Sequence, residues 1–522
     1  MGGDARTRHN INAPASMIPP SGIAAFPTRT FRAAALIVVV LTLVRLVGLR
    51  LSTVDLFIDE SQYWAWSREL DWGYFSKPPL LAWLIAAAGQ FCGNAEACIR
   101  APAPLMGLAT GLLAYATGRV MYDARTGFWA AMLTAFGTGS VFSARIVSTD
   151  VPLVLFGALA LLAYAHLLQK PDWRWAVALG IAVGAGLLAK YAMIYFVPGL
   201  LLAAVFEKQA RALLVRPELR LALGIAVIAV SPNILWNAAN GFLTLRHAGG
   251  NVIGEPIDPS LKRPLEFLAA QFAVFGPVVF GVAVAVAIVP LARLVSGRIT
   301  SDRLLPADRI LLAFALPSLV VVTVTATMVH AYANWAAAAF IPLAVLAAAI
   351  LVRRNSSVLL WGSLALGLVA QVLLIGADAF ATRIRLPFLS TPNPYYRTLG
   401  WNGYGRTVGQ LARKLGISTI ASDTRAEVAS LLYYWRDQPE RILAWPTADL
   451  PNFELTRALT AASQPVLFVS QCAAADRLET FYAKVTPLGI MSSDGPVPRG
   501  FAAFRLEEPR GPIGPLARCR PG

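Results

Sequence analysis

Long apolar runs separated by short polar segments fill most of the chain. Eleven of these runs are long enough to cross the roughly 30 Å of hydrocarbon in a bilayer. The pattern predicts an all-α polytopic membrane protein with about 11 to 13 transmembrane helices, because a long run such as 265–292 can be divided in two. The eleven runs are 32–50, 101–121, 126–144, 151–168, 174–189, 191–206, 219–237, 265–292, 309–329, 335–352 and 357–377.

The hydrophobic pattern divides the chain into three parts. Residues 1–31 carry scattered arginines and prolines, which predicts a disordered cytoplasmic arm. Residues 32–378 hold the apolar runs and an outer loop, 51–100, in which the short stretch 78–91 is predicted to be a re-entrant or interfacial helix. Residues 379–522 read as a small α/β domain on the periplasmic side. Its predicted strands are STIAS, RILAW, PVLFVS and FAAFRL, and its predicted helices are TRAEVASLLYYW and AADRLETFYAKV.

Composition supports a membrane protein and argues against a nucleic-acid-binding one. The 522 residues are 57% hydrophobic and only 14% charged, and the mean hydropathy is +0.58. The formal net charge of +16 comes largely from short basic clusters between apolar runs, with no nucleic-acid-binding motif beside them. Membrane orientation explains these clusters, and we predict no nucleic-acid partner.

The basic clusters also predict which loops face the cytoplasm. Cytoplasmic loops carry an excess of Lys and Arg, and alternate loops of this chain do so if the N-terminus is cytoplasmic. On that assignment the polar candidates for chemistry all fall on the outer face of the membrane. The clusters are Arg119 and Arg125; Lys170 and Arg174; Lys208, Arg211, Arg216 and Arg220; Arg293, Arg298, Arg303 and Arg309; and Arg353 and Arg354.

The four cysteines fall on the same outer side. Cys92 and Cys98 share one predicted loop, while Cys472 and Cys519 lie in the tail. Three pairings are open to four cysteines, and a Cys92–Cys98 bridge is the favoured one, with free buried thiols as the alternative.

The stretch from Asp59 to Trp83 places charges among aromatic rings beside the first span. Asp59 and Glu60 could simply cap a helix, and an interfacial aromatic belt explains the rings. Neither explanation accounts for Lys77 immediately before two prolines. Charges held close to the hydrocarbon are costly and usually mark a site.

Three further positions repeat this pattern at later outer edges. Asp150 begins a span, where the helix dipole alone would favour an acid. Lys190 interrupts an apolar stretch on the outer side, which favours a functional role over a structural one. His330 opens the segment HAYANW; a single histidine there is more often structural than catalytic.

Four of these segments, in their order and spacing, resemble a known family. DESQYW from Asp59, FSKPPLLAW from Phe75, STDVP from Ser148 and GLLAKY from Gly186 look like the GT-C membrane glycosyltransferases of the dolichyl-phosphate-mannose protein mannosyltransferase family. That family's bacterial branch includes the aminoarabinose transferases of lipid A. PNILWNAANGF, QFAVFGP and NWAAAAFIP resemble further segments of bacterial members, and the resemblance covers roughly residues 30–380.

The resemblance implies an inverting transfer of a sugar from a polyprenyl-phosphate-linked donor to a cell-envelope acceptor. The acceptor would be lipid A, lipopolysaccharide or a related glycan, and the enzyme would lie in the bacterial inner membrane with its site facing the periplasm. Its predicted partners are the lipid-linked donor, the envelope acceptor and membrane lipids. The alternatives are a protein O-mannosyltransferase-like enzyme and a transporter or flippase of lipid-linked sugars.

The same resemblance implies roles for individual residues. Asp59 would act as base or would orient the acceptor, with Glu60 in support and Asp150 as a second functional acid. The donor phosphate needs cations, because it leaves without a proton donor. No cofactor and no metal are predicted, although paired acids could hold a divalent ion through oxygen ligands. The predicted phosphate ligands are Lys77, Lys190 and Arg68, and the predicted substrate contacts are Tyr63, Tyr74, His330, Asn334 and Trp335.

Overall fold

The computed structural model describes residues 29–253, 259–295, 304–387, 391–446, 452–471 and 475–516. These residues form a bundle of helices as far as Ala379, followed by a smaller unit built on a five-stranded sheet. The predicted arm falls outside them up to residue 28, as do Cys472 and Cys519.

The bundle contains eighteen α-helices and two 3₁₀ helices in the described residues. The α-helices of its first half are α1 (Arg29–Leu51), α2 (Ile58–Ser67), α3 (Leu80–Cys92), α4 (Glu96–Arg100), α5 (Pro102–Met121), α6 (Ala124–Ala135), α7 (Thr138–Ser143), α8 (Asp150–Gln169) and α9 (Trp173–Ala189). Those of its second half are α10 (Phe196–Phe206), α11 (Lys208–Leu214), α12 (Pro217–Ala239), α13 (Leu243–Ile253), α14 (Lys262–Val274), α15 (Pro277–Val295), α16 (Pro306–Ala326), α17 (Phe340–Arg353) and α18 (Ser357–Ala379). The 3₁₀ helices, Tyr191–Tyr195 and Ala333–Ala339, lead directly into α10 and α17.

Seven helices of the described chain are long and apolar enough to cross a membrane, fewer than the eleven runs predicted. Of the four other runs, 174–189 and 191–206 form shorter apolar helices, and two are interrupted. The run 126–144 is broken at Gly137, between α6 and α7, and the run 265–292 is broken at Gly276, whose φ is +89°. The seven are Arg29–Leu51, Glu96–Met121, Asp150–Gln169, Pro217–Ala239, Pro306–Ala326, Ala333–Arg353 and Ser357–Ala379; shorter apolar helices are Leu80–Cys92, Trp173–Ala189, Tyr191–Phe206 and Pro277–Ile288.

Helix α17 forms the centre of the bundle. Every residue from Phe340 to Val352 is buried, and α17 packs against helices that include α5, α6, α8, α15 and α16. An apolar helix surrounded by other apolar helices gains little from the hydrophobic effect inside a bilayer, so its alanines matter because they let the neighbouring backbones come close.

The C-terminal unit is a mixed sheet with helices around it. Strands β1 and β2 are parallel, β1 and β3 are parallel, and β5 runs antiparallel to both β3 and β4, in the order β2-β1-β3-β5-β4. The strands are β1 (Thr419–Ser422), β2 (Arg441–Ala444), β3 (Val466–Ser470), β4 (Tyr482–Ser492) and β5 (Gly500–Pro509). The remaining helices are α19 (Trp401–Lys414), α20 (Arg425–Tyr434), α21 (Glu454–Arg457) and α22 (Ala475–Glu479).

One predicted element of this unit is wrong. The segment AADRLETFYAKV was predicted as one helix, but α22 ends at Glu479 and β4 begins at Tyr482. Pairing of β4 with β5 gives this segment its backbone partners, and the Tyr482 ring is buried in the sheet's core. Tertiary pairing of this kind commonly overrides local helix propensity.

The C-terminal unit is fixed to the outer loop by buried polar contacts. The Tyr434 hydroxyl accepts a hydrogen bond from the Leu56 amide at 2.7 Å and donates one to Glu96 at 2.7 Å. The Asp55 carboxylate accepts hydrogen bonds from the amides of Gly400 and Asn402, at the N-terminus of α19, where the helix dipole favours an anion. Cys92 and Cys98 form a disulfide across the tip of the same loop, which confirms the favoured pairing.

We expect Gly367→Ala to destabilise the bundle, whereas Gly362→Ala on the same helix should not. A Cβ atom at Gly367 would overlap the Phe136 carbonyl oxygen, which is backbone and cannot step aside, but a Cβ atom at Gly362 meets nothing within 4 Å. Overpacking of this kind costs about 1–3 kcal/mol. Thermal unfolding of the two variants in detergent measures the difference, and equal midpoints would contradict the packing described here.

Candidate active site

Helix α2 presents its two first-turn acids to different surroundings. Asp59 is on the open side, and its carboxylate pairs with the guanidinium of Arg425 from the C-terminal unit, both side chains being about 40% exposed. Glu60 is 1% exposed. Adjacent residues on a helix point about 100° apart, so a neighbouring pair of acids is separated by the helix itself.

Glu60 is part of the framework of the site, where it is buried beside Asp59 and faces away from the open side. Both of its oxygens bind the guanidinium of Arg100, at 2.9 and 2.7 Å. The same oxygens accept hydrogen bonds from the Phe57 and Val147 amides, each at 2.9 Å. A carboxylate with four such contacts has no free position for an acceptor hydroxyl.

Asp150 lies at the start of α8 with both oxygens engaged. Lys190, at the end of α9, pairs with one oxygen at 2.6 Å. The Asn334 amide donates to the other at 2.7 Å. The structure therefore brings Asp150, Lys190 and Asn334 together from three distant segments. Because Lys190 forms an ion pair with Asp150, its ammonium is not free to bind a phosphate.

Lys77 is the cation of this cluster whose charge is not paired. Among the residues that the structure describes, no group accepts a hydrogen bond from its ammonium. Burial, and then the nearby charge of Lys190, lower the pKa of Lys77, while Asp59 and Asp150 act in the opposite direction. The Lys77 ammonium has no ion-pair partner of its own, although Asp59, Asp150, Lys190 and Arg425 are near it. It is therefore suited to bind an incoming anion.

A neutral shell surrounds these charges. The ring of His247 packs on Phe75 with centroids 4.7 Å apart. Burial, followed by the charges of Lys77 and Arg425, lowers the pKa of His247 to about 4, so the imidazole is neutral at pH 7. Tyr63 is buried against Trp66, and burial together with the Asp59 charge raises its pKa.

Four other predicted site residues do not join this cluster. Tyr74 stacks on Trp66 and its hydroxyl donates to backbone carbonyls, so it supports the loop instead of binding substrate. Arg68 binds Asn94 at 3.1 Å and lines a separate concavity facing the C-terminal unit. His330 packs edge-on against Tyr332, whose ring also meets that of Trp335.

No group of three or more His, Cys, Asp or Glu side chains able to hold a metal ion occurs in the described part of the chain. Asp59 and Glu60 point to different surroundings, and Glu60 is fully occupied by Arg100 and two amides. The residues present therefore do not form the paired-acid oxygen site that the sequence left open.

Two residues of the site were missed in the sequence. Arg425 follows Thr424 in a capping box, Thr-Arg-Ala-Glu, which predicts the start of a helix but not its position over Asp59. His247 lies in α13, where no local pattern indicates its contact with Phe75. Neither local pattern carries information about which distant segment it meets.

Known proteins share this arrangement of segments. The family model described as dolichyl-phosphate-mannose-protein mannosyltransferase matches residues 76–236. The lipid A galacturonosyltransferase RgtD of Rhizobium johnstonii is 35% identical over 453 residues, which cover 86% of this chain and 93% of RgtD. The chain belongs to the dolichyl-phosphate-mannose-protein mannosyltransferase family. It is therefore a membrane glycosyltransferase.

Two crystal structures of another protein, ArnT, are similar in fold to this chain. ArnT from Cupriavidus metallidurans in the apo state superposes with a TM-score of 0.62 at 16% identity, covering 91% of this chain and 97% of ArnT. The same protein bound to undecaprenyl phosphate gives a TM-score of 0.59 at 18% identity, with the same coverage. The GT-C fold and the polytopic membrane character expected from the sequence are confirmed.

We expect the main effect of Glu60→Gln to be a loss of folding stability, with any loss of activity following from it. Removing the Glu60 charge leaves the buried Arg100 guanidinium without its counterion, at a cost of about 3–5 kcal/mol. The matched control is Glu69→Gln, which removes an exposed ion pair with Arg457 and should cost at most about 1 kcal/mol. Thermal midpoints in detergent decide the matter, and a stable but inactive Glu60→Gln protein would restore Glu60 to the catalytic group.

We expect anion binding at Lys77 to weaken as the pH rises. The loss should begin at a lower pH than it would for an exposed lysine. The ammonium is present below the pKa of Lys77, burial lowers that pKa from 10.5, and the charge is lost as the pH passes through the lowered value. Lys77→Arg should abolish this alkaline loss, because a guanidinium remains charged. Binding of polyprenyl phosphate measured from neutral to alkaline pH tests this; identical profiles for both proteins would exclude Lys77 as the titrating group.

Proposed function

We propose that this enzyme transfers a galacturonic acid residue from a polyprenyl-phosphate-linked donor to lipid A or a related envelope glycolipid. The single observation that carries the proposal is the meeting of Asp59 and the unpaired Lys77, both from the outer loop, with Asp150 from the start of α8. The substrate class is supported by the relative RgtD, a lipid A galacturonosyltransferase that matches most of the chain.

Lys77 is the residue suited to the donor phosphate. A phosphate is anionic, and it is a competent leaving group that needs charge stabilisation and no proton. The donor lipid is supported by ArnT, which has the same fold and whose crystal structure holds undecaprenyl phosphate.

The reaction is a displacement at the anomeric carbon with inversion. An acceptor oxygen forms the new bond to C1 while the bond from C1 to the phosphate oxygen breaks, and the electron pair of that bond leaves with polyprenyl phosphate. If the acceptor is a hydroxyl, Asp59 takes its proton, because a carboxylate within hydrogen-bond reach can act as general base. If the acceptor is a phosphate, no proton moves and Asp59 positions it.

Asp59 can contact an acceptor only when its ion pair with Arg425 opens or when Arg425 also contacts the acceptor. Their ion pair is exposed at both ends, so it is weak and easily exchanged for another contact. An anionic acceptor could take the Arg425 guanidinium and leave the Asp59 carboxylate free. This exchange links acceptor binding to the C-terminal unit, which carries Arg425.

A separate arginine-lined concavity, at the opposite end of α2 from Asp59, suits an anionic acceptor. It encloses about 360 Å³ between α2 and the C-terminal unit. The phosphates and acidic sugars of lipid A and lipopolysaccharide cores are the kind of groups that arginine binds well. The arginines in its lining are Arg68, Arg436, Arg441 and Arg457.

The site is proposed to face the periplasm from the bacterial inner membrane. The basic clusters between the apolar runs support this orientation through the excess of Lys and Arg on the cytoplasmic side. A transporter or flippase would hold its charges along a path through the bilayer. The pairing of Asp59 with a residue of the C-terminal unit instead supports a site at the membrane surface.

We expect purified enzyme in lipid nanodiscs to add a hexuronic acid to lipid A when supplied with polyprenyl phosphate galacturonic acid. Asp59→Asn should lower the rate by about 100-fold or more if the acceptor is a hydroxyl. Lys77→Ala should raise the donor concentration needed for half-maximal rate. Mass spectrometry of the acceptor measures the product.

Asp476→Asn, an exposed acid on α22, is the matched control and should keep the wild-type rate. Wild-type enzyme that leaves lipid A unmodified with this donor would overturn the proposed function. Full activity of both Asp59→Asn and Lys77→Ala would overturn the proposed site.

A further inference from the structure

Arg45 is a buried cation in the last third of a membrane-spanning helix, α1. It is 4% exposed and lies six residues before the end of α1, about 9 Å along the helix axis at 1.5 Å per residue. Ionisable side chains at such depth are costly, and those that persist usually face a partner or a functional cavity. The active-site cluster described above does not use Arg45.

The hydrogen bonds of Arg45 leave one nitrogen free. Nε donates to the Gln371 side-chain oxygen at 2.7 Å, and Nη2 donates to the Ala135 carbonyl at 2.7 Å. Among the described residues, no acceptor binds Nη1 and no carboxylate pairs with the guanidinium. Both partners are neutral, so the positive charge is not compensated.

The free nitrogen faces a cavity that reaches the active site. A Cβ atom at Gly107 would lie 3.8 Å from Nη1, and Gly107 lines the same cavity as Arg45. The cavity has a volume of about 100 Å³, and Asp150 and Asn334 also line it. One buried water needs about 10–15 Å³ of such a cavity, so the space is larger than a single trapped water requires.

Two serine hydroxyls in the lining of the cavity also lack protein partners, whereas the Thr110 hydroxyl donates to the Met106 carbonyl. Ser140 and Ser143 line the cavity, and in the described part of the chain their hydroxyls make no hydrogen bond to other residues. The acid in the lining, Asp150, is already bonded to Lys190 and Asn334. The free N–H of Arg45 and the two serine hydroxyls are therefore donors without an acceptor. A carboxylate fits such a set, because it accepts several hydrogen bonds and supplies the missing negative charge.

We propose that this cavity is the subsite for the carboxylate of the donor sugar, with Arg45 as its counterion. The inference rests on the proposed function and deepens it, because it explains how a uronic acid is distinguished from a neutral hexose. The sugar lies between Lys77, which holds the phosphate, and Arg45, with Asp150 and Asn334 beside its ring. A neutral hexose leaves the Arg45 charge unpaired, and sites built for a charged group reject analogues that lack it.

Donor binding without acceptor tests the subsite directly. The full-length enzyme in nanodiscs is titrated with polyprenyl phosphate galacturonic acid, with polyprenyl phosphate galactose, and with polyprenyl phosphate alone. Wild-type enzyme should bind the uronic donor most tightly. Arg45→Gln should weaken binding of that donor by about 10- to 100-fold, and it should leave the other two within about threefold.

Three further variants separate recognition from a structural role. Arg45→Lys keeps the charge and should retain part of the preference. Gly107→Leu adds a side chain to the cavity beside Nη1 and should abolish the preference. Arg50→Gln removes a cation from the exposed end of the same helix and should change nothing. Thermal midpoints show whether each variant is folded.

Several results would overturn the inference. If Arg45→Gln weakened the binding of all three ligands equally, Arg45 would have a structural role between helices or would bind the phosphate. A wild-type enzyme that binds the uronic and neutral donors equally would show that no carboxylate subsite exists. Failure of the proposed function is recognised separately, because the wild-type enzyme would then bind the uronic donor preferentially and yet leave lipid A unmodified.

Discussion

The buried ion pair between Glu60 and Arg100 is the contact on which the geometry of this enzyme depends. Arg100 also donates to the carbonyls of Val54 and Asp55, while Glu60 accepts from the amide of Val147. These bonds join the end of α1, the start of α2, α4 and the segment that leads to Asp150. Removing charges from water is expensive, so a pair of this kind holds its position only when every bond is made.

Asp59 and Asp150, the acids of the proposed site, take their positions from this framework. Asp59 is next to Glu60 in sequence, and Asp150 follows Val147 by three residues, so fixing Glu60 brings both acids to one side of the bundle. Lys190 and Asn334 then complete the surroundings of Asp150. The balance of charge that results, with two ion pairs and one unpaired lysine, is the property that suits the site to a lipid-linked phosphate.

The C-terminal unit contributes to the site as well as covering it. Its helix α20 packs on α2 and carries Arg425 to Asp59, while Tyr434 binds both the loop amide of Leu56 and the Glu96 carboxylate. A unit anchored by buried hydrogen bonds does not swing freely. The exposed Arg425–Asp59 pair is therefore the part of the contact that can change when a substrate arrives.

The sequence by itself determined the membrane character, the GT-C family and the segments that contain Asp59, Lys77, Asp150 and Lys190, because apolar runs and short motifs are local properties. It also indicated most strands of the C-terminal sheet, since alternation and β-branched residues are local too. Only the tertiary structure decided that Glu60 pairs with Arg100, that Lys190 pairs with Asp150, and that Arg425 and the partly unpaired Arg45 face the site. Those outcomes depend on which distant groups share a charge or a hydrogen bond, and no pattern within a single segment specifies its partner.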